Sequence, residues 1–128
     1  MTFDWCEYYT LARDLHAQAA NANNGEALLR SSLSRAYYAA FHVARRDLQA
    51  RGDYTPAEDD NPHAYVCNAY RRDPDHERRK VGEDLLRLRV DRNEADYEDV
   101  ISVLQAMASS ALILVQKILT SLEYPQQP

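Results

Sequence analysis

Apolar side chains recur at helical spacing in five segments of this 128-residue chain. In the first segment, Trp5, Tyr8, Leu11 and Leu15 lie three or four positions apart, as they do along one side of a helix. The pattern therefore predicts an all-α fold. We expect five helices, at about 4–20, 26–50, 62–70, from 75 to at least 89, and from 93 or 96 to about 122.

Residue types that begin and end helices separate these segments. Gly52 follows the second predicted helix, where a glycine commonly terminates the helix, and Pro62 suits the first position of the third. Pro74 ends the third segment, and Asp75 is placed to cap the fourth. The tail, residues 124–128, is expected to fray.

The second predicted helix has two contrasting faces when residues are placed 100° apart. Small and aliphatic side chains share one face: Leu29, Leu33, Ala36, Ala40 and Ala44, with Tyr37 and Leu48 at its edge. Polar and aromatic side chains share the other: Ser31, Arg35, Tyr38, His42, Arg45, Arg46 and Gln49. The alanines predict close approach of a neighbouring helix.

The fifth predicted helix is the most apolar. One continuous stripe contains Ile101, Leu104, Ala108, Leu112, Val115, Leu119 and Leu122, and a second line beside it contains Val103, Met107 and Leu114. A helix that is apolar over so much of its circumference is buried on more than one side. It is either the centre of the bundle or part of a subunit interface, and the small size of the bundle favours a homodimer.

Length and composition indicate one globular domain. The chain is 45% hydrophobic and 27% charged, and it contains three glycines. This balance is ordinary for a folded protein, and so few glycines disfavour a fold with many tight turns. We expect a single domain over residues 1–128, an up-and-down four-helix bundle with one additional short helix.

The sequence predicts a cytoplasmic protein with no membrane partner. Its first residues lack the basic start and apolar run of a signal peptide, and the most apolar stretch, Ala111 to Val115, is too short to span a bilayer. Two cysteines, Cys6 and Cys67, are too few for a disulfide framework.

A net charge of −5 gives no general attraction to nucleic acid. The charges are uneven, however, because eight basic residues lie between Arg71 and Arg92 and four acidic residues follow between Glu94 and Asp99. Two interpretations stay open for this basic stretch. It is either a solvated helix surface with offsetting charges or a local phosphate-binding patch.

No cofactor and no metal site is predicted. His63 and Cys67 stand four apart on the short third helix, but a structural zinc requires four ligands and no second pair accompanies them. Gly-rich phosphate loops and the common hydrolase motifs are also absent from the sequence.

Four sequence landmarks follow one another in order along the chain. The segment from Ser34 to Ala44, with its Tyr-Tyr-Ala-Ala-Phe run, is similar to the second-helix motif of small HEPN proteins. Pro62-His63 is similar to the second landmark of the family, and the run from Arg92 to Tyr97 is similar to the third. The fourth landmark is the long apolar helix that closes the chain. The resemblance extends from about residue 4 to residue 122.

The resemblance implies an RNA-directed site. Active family members are metal-independent endoribonucleases that work as dimers, and their motif is an Arg, often with a polar residue after it, and a His five to seven positions beyond the Arg. Arg92 and Asn93 match its beginning, but Tyr97 stands at the histidine position. On a straight helix Arg92 and Tyr97 lie about 140° apart, so they meet one ligand only across a bend, a helix end or a dimer interface. In a purely structural alternative, Arg92 pairs with Asp96 and Tyr97 packs at a helix start.

Two further Arg–His pairs have the same spacing. Arg35 and His42 lie two turns apart on one face, with Tyr38 between them. Arg71 and His76 also match, but Pro74 between them indicates a loop and an accidental match.

Three functional hypotheses follow. The first is an RNA-directed toxin component of a toxin–antitoxin or defence module, with Arg92, Tyr97 and His42 catalytic. Arg35, Tyr38, Asn93 and Asp96 would bind the RNA phosphate. The second is a non-catalytic module that docks a minimal nucleotidyltransferase antitoxin, with Tyr97 as a candidate acceptor of AMP. The third is a helical dimer without activity.

Overall fold

The computed structural model describes residues 2–124, and these form a bundle of four long helices and one short helix. The predicted all-α class is therefore confirmed, and four of the five helix starts lie within two residues of the predicted ones. The helices are α1 (Cys6–Ala19), α2 (Gly25–Ala50), α3 (Pro62–Arg71), α4 (His76–Tyr97) and α5 (Leu104–Ser121). Tyr124 packs against the core, and residues 125–128 of the tail predicted to fray lie outside the described range.

Side-chain caps fix the starts of α3 and α4. The Asn61 carboxamide oxygen accepts a hydrogen bond from the backbone N–H of His63 at 2.9 Å, and Pro62 takes the first helical position. The Asp75 carboxylate accepts one from the backbone N–H of Arg78 at 3.0 Å, as the sequence predicts. Asn61 and Pro62 set the register of α3, and they thereby place His63 in its first turn.

The predicted start of the fifth helix near residue 93 or 96 is wrong. α4 continues to Tyr97, and α5 begins only at Leu104. The Arg30 guanidinium of α2 reaches the end of α4, where it donates to the carbonyl of Ala95 at 3.0 Å and to that of Glu98 at 2.6 Å. These bonds satisfy carbonyls that a helix end leaves without partners, so a distant arginine helps to set this boundary.

α2 is the centre of the bundle, since it contacts each of the other four helices. The predicted small-residue face is buried throughout, and Ser32 and Ala39 extend it. The buried Ser32 hydroxyl donates to the Ala12 carbonyl of α1 at 2.7 Å. The small alanine side chains of this face permit α1 and α2 to lie so close together.

α5 packs one face against α2 and α4. Its buried residues are Leu104, Met107, Ala108, Ala111, Val115, Ile118 and Leu119. The second apolar line is only partly buried, and beyond it Ile113 remains 56% exposed. Within residues 2–124, α5 is the one helix whose length and mean hydropathy of 1.2 meet the requirement for crossing a membrane. Length and composition alone carry little weight, because an apolar helix of a helical bundle meets the same requirement, and 39% of this helix is buried against the rest of the bundle.

α3 lies against α4 at a glycine. A Cβ added at Gly82 would lie 2.6 Å from the backbone nitrogen of Arg71, so only glycine permits this approach. The Tyr70 hydroxyl donates to the Asp47 carboxylate of α2 at 2.6 Å, and the same carboxylate accepts from Arg78 of α4 at 2.9 Å. These contacts hold α3 against both α2 and α4.

Gly82→Ala is expected to lower the free energy of unfolding, by up to about 2 kcal/mol. The added Cβ forces α3 and α4 apart, a cost of about 1–3 kcal/mol that exceeds the gain of about 1 kcal/mol in helix propensity. Lys80→Ala, at an exposed position on the same helix, serves as the control and should change stability by less than about 0.5 kcal/mol. Thermal unfolding measures both, and a raised Tm for Gly82→Ala would contradict the close approach.

Candidate functional site

Tyr37 and His63 form the centre of a polar cluster between α2 and α3. The Tyr37 side chain is 2% exposed, and its hydroxyl oxygen lies 2.6 Å from His63 Nδ1 in a hydrogen bond. The ring of Phe41, one turn along α2, stacks on the His63 ring at 4.2 Å between centroids. The imidazole is therefore fixed in orientation by one hydrogen bond and one ring contact.

The surroundings of His63 favour its neutral form. Burial lowers the pKa of this imidazole below its usual 6.5, and the positive charges of Arg92 and Arg89 lower it further. A neutral imidazole can carry its proton on either nitrogen. When Nδ1 carries it and donates to Tyr37, Nε2 accepts a proton. When Tyr37 donates instead, Nε2 is a proton donor.

Arg92 contributes a buried positive charge from α4. The residue is 8% exposed, and its guanidinium carbon lies 5.0 Å from the ring centroid of Tyr37 and 5.4 Å from that of Tyr38. One terminal nitrogen is 3.5 Å from the Asp96 carboxylate. Among residues 2–124, the buried Nε of Arg92 has no hydrogen-bond acceptor. A buried donor without a partner is costly, so this guanidinium is not fully satisfied by the described residues.

Tyr37 keeps its proton at neutral pH. Burial raises the pKa of its hydroxyl to about 12, although Arg92 and Arg89 act in the opposite direction. The aromatic ring, rather than a phenolate, therefore faces the Arg92 cation, and the hydroxyl remains available for its bond with His63. Tyr37 is consequently a positioning residue between the arginine and the histidine.

Arg35 approaches the same cluster from the other side of Tyr38. Its guanidinium carbon lies 6.0 Å from the Tyr38 ring centroid and 5.2 Å from that of Tyr8 on α1. Tyr38 is half-buried, and its ring centroid lies within 6.0 Å of the guanidinium carbons of both Arg35 and Arg92. The structure brings together four of the sequence-predicted site residues: Arg35, Tyr38, Arg92 and Asp96.

His42 lies at the edge of this cluster, with its ring centroid 6.2 Å from that of Tyr38. It stacks on Trp5 at 3.6 Å, with the two ring planes 13° apart. Burial, then Arg45 and His63, lower the pKa of His42 to about 4. A base with so low a pKa accepts protons weakly at neutral pH, so His63 suits that task better than His42.

Asn93 and Tyr97, the remaining predicted site residues, lie outside the cluster. Asn93 is exposed on α4, and Tyr97 is its last residue, with 76% of the residue exposed. α4 runs unbroken through both, so Arg92 and Tyr97 point to different sides of one copy of the chain. The predicted Arg92–Asp96 pair is present, but Tyr97 ends a helix rather than packing at the start of one.

Sequence reasoning missed Tyr37 and His63 as members of the site. It considered His63 as half of a weak metal pair with Cys67 and, with Pro62, as a family landmark, but not as a site residue. The Cys67 thiol instead donates to the Gly82 carbonyl at 3.4 Å, and the described residues contain no group of three potential metal ligands. The sequence signal for the position of His63 was Pro62, because a proline at the first helical position fixes where α3 begins. The sequence does not reveal that this turn meets Tyr37.

Comparison of the chain with models of protein families, with curated proteins and with solved structures finds no match. The cluster is therefore interpreted from its own geometry. It presents two guanidinium groups and a neutral imidazole among aromatic rings, which is a set suited to an anionic, ring-containing ligand.

The two half-buried histidines, His42 and His63, predict a loss of folding stability in mild acid. The unfolded chain takes up their protons near pH 6.5, whereas the folded protein does so only at lower pH, near 4 for His42. The unfolded state thus binds more protons below pH 6.5, and stability falls as the pH is lowered through this window. His42→Phe keeps the ring on Trp5 and should make the fall between pH 6.5 and 5 shallower.

Urea unfolding at several pH values measures this slope. His76→Phe, at an exposed position, is the matched control and should retain the wild-type slope. Identical slopes for wild-type and His42→Phe protein would show that His42 is not held neutral by its surroundings.

Proposed function

We propose that this chain is a HEPN-superfamily protein that cleaves RNA without a metal ion, as the toxin component of a toxin–antitoxin or defence module. The order of sequence landmarks and the five-helix bundle support the family assignment. One observation carries the activity. The buried guanidinium of Arg92 and the imidazole of His63 lie against the same tyrosine, Tyr37.

Arg92 is the proposed phosphate-binding group. A guanidinium offers planar N–H donors that match two oxygens of a phosphate. In a site that is mostly shielded from water, such bonds are stronger than on an open surface. The Nε of Arg92 has no acceptor within residues 2–124, so this guanidinium has hydrogen-bonding capacity that the described residues leave unused. Arg35, whose guanidinium carbon lies 6.0 Å from the Tyr38 ring centroid, would bind a neighbouring phosphate of the same strand.

His63 is the proposed proton-transfer group, in place of His42. Its Nε2 takes the proton from an RNA 2′-hydroxyl, whose oxygen attacks the adjacent phosphorus. The bond from phosphorus to the 5′-oxygen breaks, and that oxygen takes a proton from solvent. The products are a 2′,3′-cyclic phosphate and a free 5′-hydroxyl, and His63 returns its proton to water. Arg92 stabilises the negative charge that develops on the phosphate oxygens.

A homodimer is part of this proposal. Where α4 ends and the chain continues to α5, Tyr97, Val100 and Val103 are 76%, 86% and 58% exposed. Exposed apolar side chains grouped in this way are typical of a surface that another protein covers. A second copy is the proposed partner, and it would bring Tyr97 and Asn93 of one copy near the cluster of the other.

A second candidate function is supported by the exposure of Tyr97. The chain would dock a minimal nucleotidyltransferase, and the Tyr97 hydroxyl oxygen would attack the α-phosphorus of ATP. Pyrophosphate would leave, and the tyrosine would carry AMP. The residue ends α4 and is 76% exposed, so its hydroxyl is accessible to another enzyme.

Cleavage of structured RNA in EDTA should depend on His63 and Arg92. His63→Gln is expected to slow cleavage about 100-fold or more through loss of proton transfer, and Arg92→Gln by a similar factor through loss of charge stabilisation. The matched controls His76→Gln and Arg72→Gln alter exposed residues outside the cluster and should cleave at the wild-type rate. Gel analysis gives the rates, and mass spectrometry identifies the cyclic phosphate ends.

Three results would contradict the nuclease proposal. They are equal cleavage by wild-type and both cluster variants, no cleavage by wild-type protein, and cleavage that EDTA abolishes. Circular dichroism of each variant separates loss of chemistry from loss of folding.

Modification of Tyr97 is tested by co-expression with a minimal nucleotidyltransferase. Intact mass should increase by one AMP in the wild-type protein and remain unchanged in Tyr97→Phe. Tyr65→Phe, whose native hydroxyl accepts a bond from the Thr55 backbone, is the matched control and should still be modified. An unmodified wild-type chain, or equal modification of Tyr97→Phe, would rule this candidate out.

A further inference from the structure

Four aromatic side chains, Phe3, Trp5, Tyr8 and Tyr38, form what we call the aromatic row. Phe3 contacts Trp5 and Tyr8 edge to face, with ring centroids 4.9 Å and 5.4 Å apart. Trp5 and Tyr8 are 5.5 Å apart. Tyr38 joins the row through Arg35, whose guanidinium lies over both tyrosines.

From Tyr8 onward, cations alternate with rings along this row. From the open end, the order is Phe3, Tyr8, Arg35, Tyr38 and Arg92. The distances between successive members are 5.4, 5.2, 6.0 and 5.4 Å. A single nucleic-acid strand also alternates flat bases with negative phosphates. The row therefore matches such a strand in both ring chemistry and charge.

The row is accessible at Phe3, and the neighbouring Trp5 is held in place by its own contacts. Phe3 is 45% exposed, and Trp5, Tyr8 and Tyr38 are half-buried. Trp5 is held by its stack on His42 at 3.6 Å. The carboxylate of the neighbouring Asp4 accepts a bond from the backbone N–H of Cys6 at 3.0 Å. A preorganised aromatic surface beside two arginines loses little entropy when a ring stacks on it.

We propose that the aromatic row is a base-stacking subsite for single-stranded RNA, with an unpaired base on Phe3 and the phosphates running over Arg35 to Arg92. This inference rests on the proposed function, since it extends the same site by the length of the row. The strand must be single, because bases paired in a duplex do not expose their faces. Stacking is tolerant of base identity, so weak sequence preference is expected.

Binding is measured with a short 2′-O-methylated RNA, which lacks the attacking hydroxyl and cannot be cleaved. A matched oligomer without bases serves as the second probe. Trp5 is the only tryptophan in the chain, so its fluorescence reports binding beside Phe3. The wild-type protein should bind the base-containing oligomer about tenfold more tightly than the abasic one, within the range for one stacked base.

Phe3→Leu keeps the apolar bulk but removes the aromatic face. It should weaken binding of the base-containing oligomer about tenfold and leave binding of the abasic one unchanged. The control Leu11→Ala alters another exposed apolar side chain, 41% exposed on α1, and should bind both probes as wild-type does.

Equal wild-type affinity for the two oligomers, no binding, or no effect of Phe3→Leu would overturn the stacking subsite. The two proposals fail separately. RNA cleaved by a protein that does not distinguish the two oligomers leaves the nuclease intact. Stacking without any cleavage of unmodified RNA leaves the subsite intact and removes the nuclease.

Discussion

Burial of the Arg92 charge is the constraint on which the rest of the site depends. An isolated cation is costly to remove from water, and the Arg92 residue is only 8% exposed. The faces of Tyr37 and Tyr38 and the carboxylate of Asp96 offset part of that cost. The same charge helps to keep His63 neutral. Arg92 thus provides the positive charge of the proposed anion site and also lowers the pKa of the neighbouring proton acceptor, His63.

Three helices must meet accurately for this arrangement to exist. α2 supplies Tyr37 and Tyr38, α3 supplies His63, and α4 supplies Arg92. The absence of a side chain at Gly82 lets α3 approach α4, and the Asp47 carboxylate accepts bonds from α3 and α4 at the end of α2. Contacts well away from the proposed chemistry therefore set its geometry, and loosening them is expected to weaken the site along with the fold.

The sequence predicted the helices because their apolar periodicity and caps are local. The end of α4 was not predictable in this way, since no Gly or Pro marks it and Arg30 reaches it from another helix. The site was partly predictable. Arg35 and Tyr38 share a helix face, whereas the contacts of His63 with Tyr37 and of Arg92 with both tyrosines depend on packing between helices. Periodicity along one helix carries no information about such contacts.

NMR titration with a 2′,3′-cyclic nucleotide, the chemical group that the proposed reaction leaves on RNA, tests the shared site most directly. The His63 ring and the Arg92 Nε–H signals should shift together along one binding curve, and Arg92→Leu should abolish the shift at His63. Signals that do not move, or that follow two unrelated curves, would contradict a single anion site built on Tyr37.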